Sequence, residues 1–108
     1  MIRLKIVIGL NENGFINKGH FGHSNEYIIF EYENGNFTEI ERRINPLVKE
    51  HKHAKVEEIL EIVGDCEVWV AKNMGKMSML KLKEKNYKPI LVDTDIIEKA
   101  LNKIKEML

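Results

Sequence analysis

Positions 3–8 alternate, with Leu4, Ile6 and Ile8 on one side and Arg3, Lys5 and Val7 on the other. A two-residue period is that of a strand. Residues 26–33, rich in Tyr, Ile and Phe, predict a second strand. Asn34-Gly35 then supplies the two positive-φ positions of a type I′ turn, which returns residues 37–44 as a hairpin partner. That third strand carries Glu39, Glu41, Arg42 and Arg43, charge suited to a sheet edge that must not recruit another chain. After Asn45-Pro46 the period changes. Val56, Ile59, Leu60 and Val63 fall at i, i+3, i+4 and i+7, one stripe of a helix, with Gly64 as its C′ stop. Residues 67–71 predict a short buried strand holding the one Trp, 75–85 a helix with a less regular stripe, and 89–92 another short strand. Asp95 with Glu98 makes a capping-box-like start to a last helix lined by Ile97, Ala100, Leu101, Ile104 and Leu108.

The order βββαβαβα defines an α/β fold, a five-stranded mixed sheet flanked by helices in a ribonuclease-H-like arrangement, with residues 1–108 as one domain. Its β-α-β units imply parallel pairing and right-handed crossovers. If the first strand runs upward, loops 9–25 and 45–53, turn 72–75 and Asp93 all fall at the top. That is the carboxyl edge of the parallel strands, where open α/β sheets bind ligands. All four histidines, His20, His23, His51 and His53, lie in two of these loops. Cys66 precedes its strand and falls at the bottom, a strand length of roughly 17–20 Å away.

Composition narrows the function. A chain of 108 residues, 44% hydrophobic, is long enough for one core. Its 17 basic and 17 acidic side chains cancel, so no global field draws it to nucleic acid or an anionic membrane. No stretch approaches ~20 uninterrupted apolar residues, and the opening apolar run carries charges, so it reads as a strand and not as a signal peptide. The single Cys excludes a disulfide framework, a Cys-x-x-Cys pair and an all-thiolate cluster site, and a lone thiol suits the cytoplasm. Neither Gly-x-Ser-x-Gly nor His-Glu-x-x-His occurs, and the carboxylates of a two-metal nuclease do not assemble at the top edge. The expectation is a binding module and not an enzyme.

The candidate chemistry lies in three places. The connection after the first strand is long, and unstructured loops beyond ~12–15 residues are uncommon unless functional. Its first half, Asn13-Gly14 followed by Phe15 and Ile16, suits a small turn; its second half is His20-Phe21-Gly22-His23. Imidazoles at i and i+3 beside a glycine can converge on one borderline metal ion or one cluster edge, against the plainer reading of solvated histidines. His51 and His53, ahead of the first helix, are helpers on the same terms. The turn Lys72-Asn73-Met74-Gly75-Lys76 enters a helix at the same edge. Unpaired N–H groups there suit an anion, with Lys72 and Lys76 as contacts, while the later lysines read as a solvated face. Met74, Met77 and Met79 read as packing, with thioether ligation a lesser alternative at Met74. From the residues alone, a metal-cluster site, a small-anion or protein-interaction module and a hydrolase on the same scaffold remain open.

Over nearly its whole length the chain resembles the dinitrogenase iron–molybdenum cofactor biosynthesis family, the NifX/NafY type of cofactor-carrier domain. The resemblance rests on the first strand with its Asn-Glu-Asn-Gly turn, His20-Phe21-Gly22-His23-Ser24 before the strand from Tyr27, and the Asn-Gly hairpin. It extends to Glu41-Arg42-Arg43-Ile44-Asn45-Pro46, the His-rich approach to the first helix, and Gly64-Asp65-Cys66-Glu67-Val68. It implies a carrier of an iron–sulfur or iron–molybdenum-type cluster or precursor, with His20 as the cluster-contacting histidine and cofactor-biosynthesis or acceptor proteins as partners. Where that family has Gly-Gly-Ile/Met-Gly, this chain has Lys72-Asn73-Met74-Gly75. The resemblance does not by itself tie the chain to nitrogenase.

Overall fold

The computed structural model describes residues 3–47 and 55–108. Five strands, β1 (Leu4–Leu10), β2 (Glu26–Glu33), β3 (Asn36–Ile44), β4 (Val68–Ala71) and β5 (Lys88–Leu91), form one sheet in the order β3-β2-β1-β4-β5. β1 pairs antiparallel with β2 and parallel with β4, and β4 pairs parallel with β5. The mixed sheet and the upward direction of β1, β4 and β5 are those the sequence predicts. Three helices, α1 (Val56–Val63), α2 (Lys76–Glu84) and α3 (Ile97–Lys105), cover it.

Side chains alternate across the sheet, and each face has its own core. Ile6, Ile8, Leu10, Ile28, Phe30, Val68, Val70 and Ile90 face α3 through Ala100, Leu101 and Ile104. Val7, Tyr27, Ile29, Trp69 and Ala71 face Val56, Ile59 and Val63 of α1 and Leu82 of α2. The result is a three-layer α/β/α sandwich.

Local chemistry departs from expectation at several element ends. β1 continues two residues beyond 3–8, because Gly9 and Leu10 pair with Tyr27 and Glu26. Asn34 (φ 52°) and Gly35 (φ 81°) take the predicted type I′ conformation. β3 is the edge, and its register slips opposite Ile29 and Phe30 so that Ile40 is unpaired, a bulge that adds to its charge in blunting the edge. Gly64 ends α1 in the right-handed region (φ −65°) and not as a left-handed C′ stop; a Cβ there would collide with the Leu60 carbonyl. At α3 the Asp95–Glu98 box is not formed: Ile96 is the N-cap, and its N–H is held by Thr94 Oγ1 at 3.1 Å. Met77, read as packing, is 66% exposed, because α2 turns that position away from the sheet.

Arg43, near the upper end of β3, reaches across to clasp the turn after α1. Its guanidinium donates to Asp65 Oδ1 and Oδ2 (2.7 and 2.9 Å), to Ile62 O (2.7 Å) and to Glu41 (2.8 Å). Lys5 Nζ reaches Asp65 Oδ2 at 3.2 Å. These cations hold the Asp65 carboxyl far below the usual carboxylate range. A depressed pKa stabilises the fold above the unfolded-state pKa of ~3.9 and loses that contribution as pH falls through the folded value. Because the Asp65 side chain is 42% exposed, solvent screening reduces the effect to about 1 kcal/mol. Asp65→Asn is therefore expected to lower the thermal midpoint at pH 7, with the gap from wild type closing as pH drops below ~4. Melting curves across that range check it; a pH-independent gap would contradict the assignment.

Candidate functional site

The loop between β1 and β2 folds in two halves. In the first, Asn11 Oδ1 accepts the N–H groups of Asn13 (2.9 Å) and Phe15 (3.1 Å), and Gly14 sits at φ 83°. This is the small turn read from Asn13-Gly14. It returns Ile16 to pair with Leu10 and to fill the α3-side core.

The second half presents the histidines. Asn17 Nδ2 donates to His20 O at 3.0 Å, and the backbone of His20 forms a parallel bridge with Asn73 beyond β4. Phe21–His23 then make a single 3-10 turn. Phe21 is its anchor: the ring is 4% exposed, stacks on Trp69 with centroids 5.2 Å apart, and tilts against Tyr27 at 5.0 Å. Its carbonyl accepts from Ser24 N (3.2 Å), Ser24 Oγ (2.8 Å) and Tyr27 Oη (2.9 Å). The buried Asn45 Nδ2 donates to Gly22 O (3.0 Å) and Ser24 O (2.8 Å). Gly9 lets the turn approach β1, since a Cβ at that position would collide with Ser24 Oγ. With Phe21 held inward, His20 and His23 remain exposed, their ring centroids 6.2 Å apart and tilted by 56°.

Those rings stand over a cleft of about 180 Å³. His20, Phe21, Gly22 and His23 form one side, Met74, Gly75, Ser78 and Leu82 another, and Val56, Ile59 and Trp69 close it from α1 and β4. Gly75 is the N-cap of α2 and Ser78 lies in its first turn, so the positive end of that helix faces the cleft. A Cβ at Gly75 would meet only Ser78 Oγ, at 3.8 Å; the missing side chain leaves the mouth open without being forced by a clash.

Of the residues singled out in the sequence, His20, Phe21, Gly22, His23 and Gly75 come together in this cleft. Asn73 contributes its backbone bridge to His20 but does not line it. Lys72 and Lys76, expected as anion contacts, do not line it either. The hydrogen bond and charge of Lys103 hold the Asp93 carboxyl below its usual range, with the charge of Lys72 a lesser contributor, and Lys76 is exposed at the start of α2. Among the described residues, the positive element at the cleft is thus the helix end and not an ammonium. His51 and His53 lie outside the described residues. The sequence reading missed the cleft's apolar wall: Met74, between Asn73 and Gly75, lies at the right edge, but Trp69 is the second residue of β4 and sits below it.

Cys66 is fully buried on the α1 side and absent from the cleft lining. Burial pushes its thiol up to about 12, so it stays protonated and serves as packing. Among the described residues no group of three or more His, Cys, Asp or Glu side chains is placed to hold a metal ion. The donors present are two exposed imidazoles, one buried thioether and a helix N-terminus. Such a set suits soft, exchangeable cargo more than a permanent hard-metal centre.

No curated protein is significantly similar to the chain. Among solved structures, that of PH0822 superposes with a TM-score of 0.76 at 11% identity, covering 96% of this chain and 92% of the other. The solution structure of a Thermotoga protein, TM1290, described as a candidate NifB protein of the DUF35 family, superposes at 0.62 with 19% identity, covering 95% and 88%. At these identities the likeness establishes the fold. Among described residues no helix is long and apolar enough to cross a membrane. The sequence profile of the dinitrogenase iron–molybdenum cofactor family matches residues 3–107, nearly the entire chain, and the protein belongs to that family.

Proposed function

We propose that the protein is a non-enzymatic carrier that holds an iron–sulfur or iron–molybdenum-type cluster, or its precursor, in the cleft and passes it between biosynthetic or acceptor proteins. The observation that carries this reading is the pair of exposed imidazoles fixed 6.2 Å apart over the cleft. They stand on a turn whose carbonyls are tied down by Asn17, Ser24, Tyr27 and Asn45. His20 is the principal ligand and His23 its helper. Neutral nitrogen donors bind such cargo without the strength of a thiolate set, which suits release to a partner. The positive end of α2 offsets the negative charge of an anionic cluster. The strand order β3-β2-β1-β4-β5, with β2 alone antiparallel to its two neighbours, supports the ribonuclease-H-like description of the scaffold. Family membership supports a place in cofactor assembly; we place that work in the reducing cytoplasm, and the cancelling 17 basic and 17 acidic side chains give no pull toward nucleic acid or an anionic membrane.

Anaerobic titration with isolated iron–molybdenum cofactor tests the ligand assignment. His20→Ala is expected to weaken uptake by at least about tenfold, since losing even an outer-shell partner of a metal ligand costs about that much, while His23→Ala has the smaller effect. Identical uptake by wild type and His20→Ala would remove His20 from the site. Retained binding of inorganic phosphate with no cluster uptake would favour instead a small-anion module using the end of α2.

A further inference from the structure

We propose that the Met74 thioether is a third donor to the cargo, adding one soft ligand to the borderline imidazoles of His20 and His23 in a neutral set that selects iron–sulfur species over hard divalent ions. This rests on the carrier reading above. The backbone bridge between His20 and Asn73 brings the residue after Asn73 alongside the histidine turn. Met74 is 8% exposed, packs in the same core as Phe21 and Trp69, and lines the cleft over which both imidazoles stand. Its neighbour on α2 behaves differently: Met77 is 66% exposed and does not line the cleft. The chain therefore buries one methionine against the site and exposes the other.

The rest of the lining sharpens the chemistry. No carboxylate, thiolate or ammonium lines the cleft among the described residues. A hard divalent ion would keep its full charge beside an apolar wall and the positive end of α2, which is unfavourable. A thioether is a soft ligand suited to iron–sulfur species, and the helix end favours their negative charge. Being neutral and unbranched, Met74 can let go of its cargo without a proton being supplied.

Two sulfur-free replacements separate ligation from packing. Met74→Leu keeps an apolar side chain of similar volume. Norleucine, incorporated at all methionine positions, keeps the unbranched shape and exchanges sulfur for a methylene. Each is titrated anaerobically with isolated iron–molybdenum cofactor, following quenching of Trp69, the only Trp in the chain, and the electron paramagnetic resonance spectrum of the bound cofactor. The expected result is about tenfold weaker binding in both proteins, roughly 1.4 kcal/mol, with a shifted spectrum and unchanged thermal midpoints of the apo forms. Wild-type affinity and spectrum in the norleucine protein, with uptake still lost in His20→Ala, would overturn the Met74 assignment and leave the carrier reading standing. No uptake by wild type would overturn both.

Discussion

Replacing Asn45 with alanine is expected to destabilise the fold by about 2–4 kcal/mol and to weaken cargo uptake in the same variant. Asn45 is fully buried although it sits in a connection. Its Nδ2 donates to Gly22 O at 3.0 Å and Ser24 O at 2.8 Å, and its Oδ1 accepts the Leu47 N–H at 3.0 Å. Alanine leaves two carbonyls and one N–H without these partners, and each buried orphan costs about 1–3 kcal/mol. The upper end of that sum is not reached, because Gly22 and Leu47 are only partly buried and water can replace some bonds. The functional loss has the same origin: Gly22 separates His20 from His23, so loosening its carbonyl loosens the spacing of the imidazoles. Asn45→Asp discriminates further. It keeps an acceptor for Leu47 but removes both donations and buries a carboxyl group, so it is expected to be at least as damaging at neutral pH. Urea unfolding followed by Trp69 fluorescence measures both. A loss below about 0.5 kcal/mol for Asn45→Ala, within the range of ordinary surface changes, would show that the turn does not depend on this side chain.

The fold was legible because the chain announces its periods. Two-residue alternation, an Asn-Gly turn and the Val56-to-Val63 stripe each have a local cause, and together they fix strand order and direction. Direction then places His20, His23 and Gly75 at one edge. Other features have no local signature. Gly64 looked like a left-handed stop because glycines at helix ends usually are; its actual constraint is the nearness of the Leu60 carbonyl, a contact between backbone atoms. Asp95 and Glu98 have capping spacing, but Thr94 takes the donor one residue further on.

The cleft itself was illegible for a related reason. The turn into α2 offers an anion both the helix start and the flanking Lys72 and Lys76, whereas the geometry keeps the helix start at the cleft and leaves these two ammonium groups out of its lining. The helix start is legible from the turn; the direction in which the neighbouring ammonium groups point is not. The apolar wall was hidden by the opposite error: Trp69 and Met74 look like core residues, and they are core residues that also border the cleft. The role of Asn45 has no local signature, because only the fold brings it against Gly22 and Ser24.

Trp69→Ala is expected to be the most damaging single truncation, at about 3–5 kcal/mol. Trp69 is 2% exposed, stacks on Phe21 with centroids 5.2 Å apart, and meets Tyr87 at 5.5 Å. Its Nε1–H donates to Cys66 O at 2.9 Å, so one side chain ties the bottom of the sheet to the histidine turn at the top. Truncation removes the platform under Phe21 and leaves the Cys66 carbonyl without its donor. The new space would open into the existing cleft and fill with water, unlike a sealed void, so neighbouring side chains have little reason to collapse into it. The enlarged cleft would then lose its dry wall on the side facing His20 and Met74, and cargo affinity falls with stability. Trp69→Phe separates the two effects. It keeps an aromatic face toward Phe21 and gives up the hydrogen bond, about 1 kcal/mol, plus the volume of the second ring. Its stability loss is expected to be less than half that of alanine, with uptake largely retained. Circular dichroism in urea follows both variants, neither of which has a Trp to report. Equal losses for phenylalanine and alanine would locate Trp69's contribution in the Nε1–H bond to Cys66 and not in the wall it builds behind the histidines.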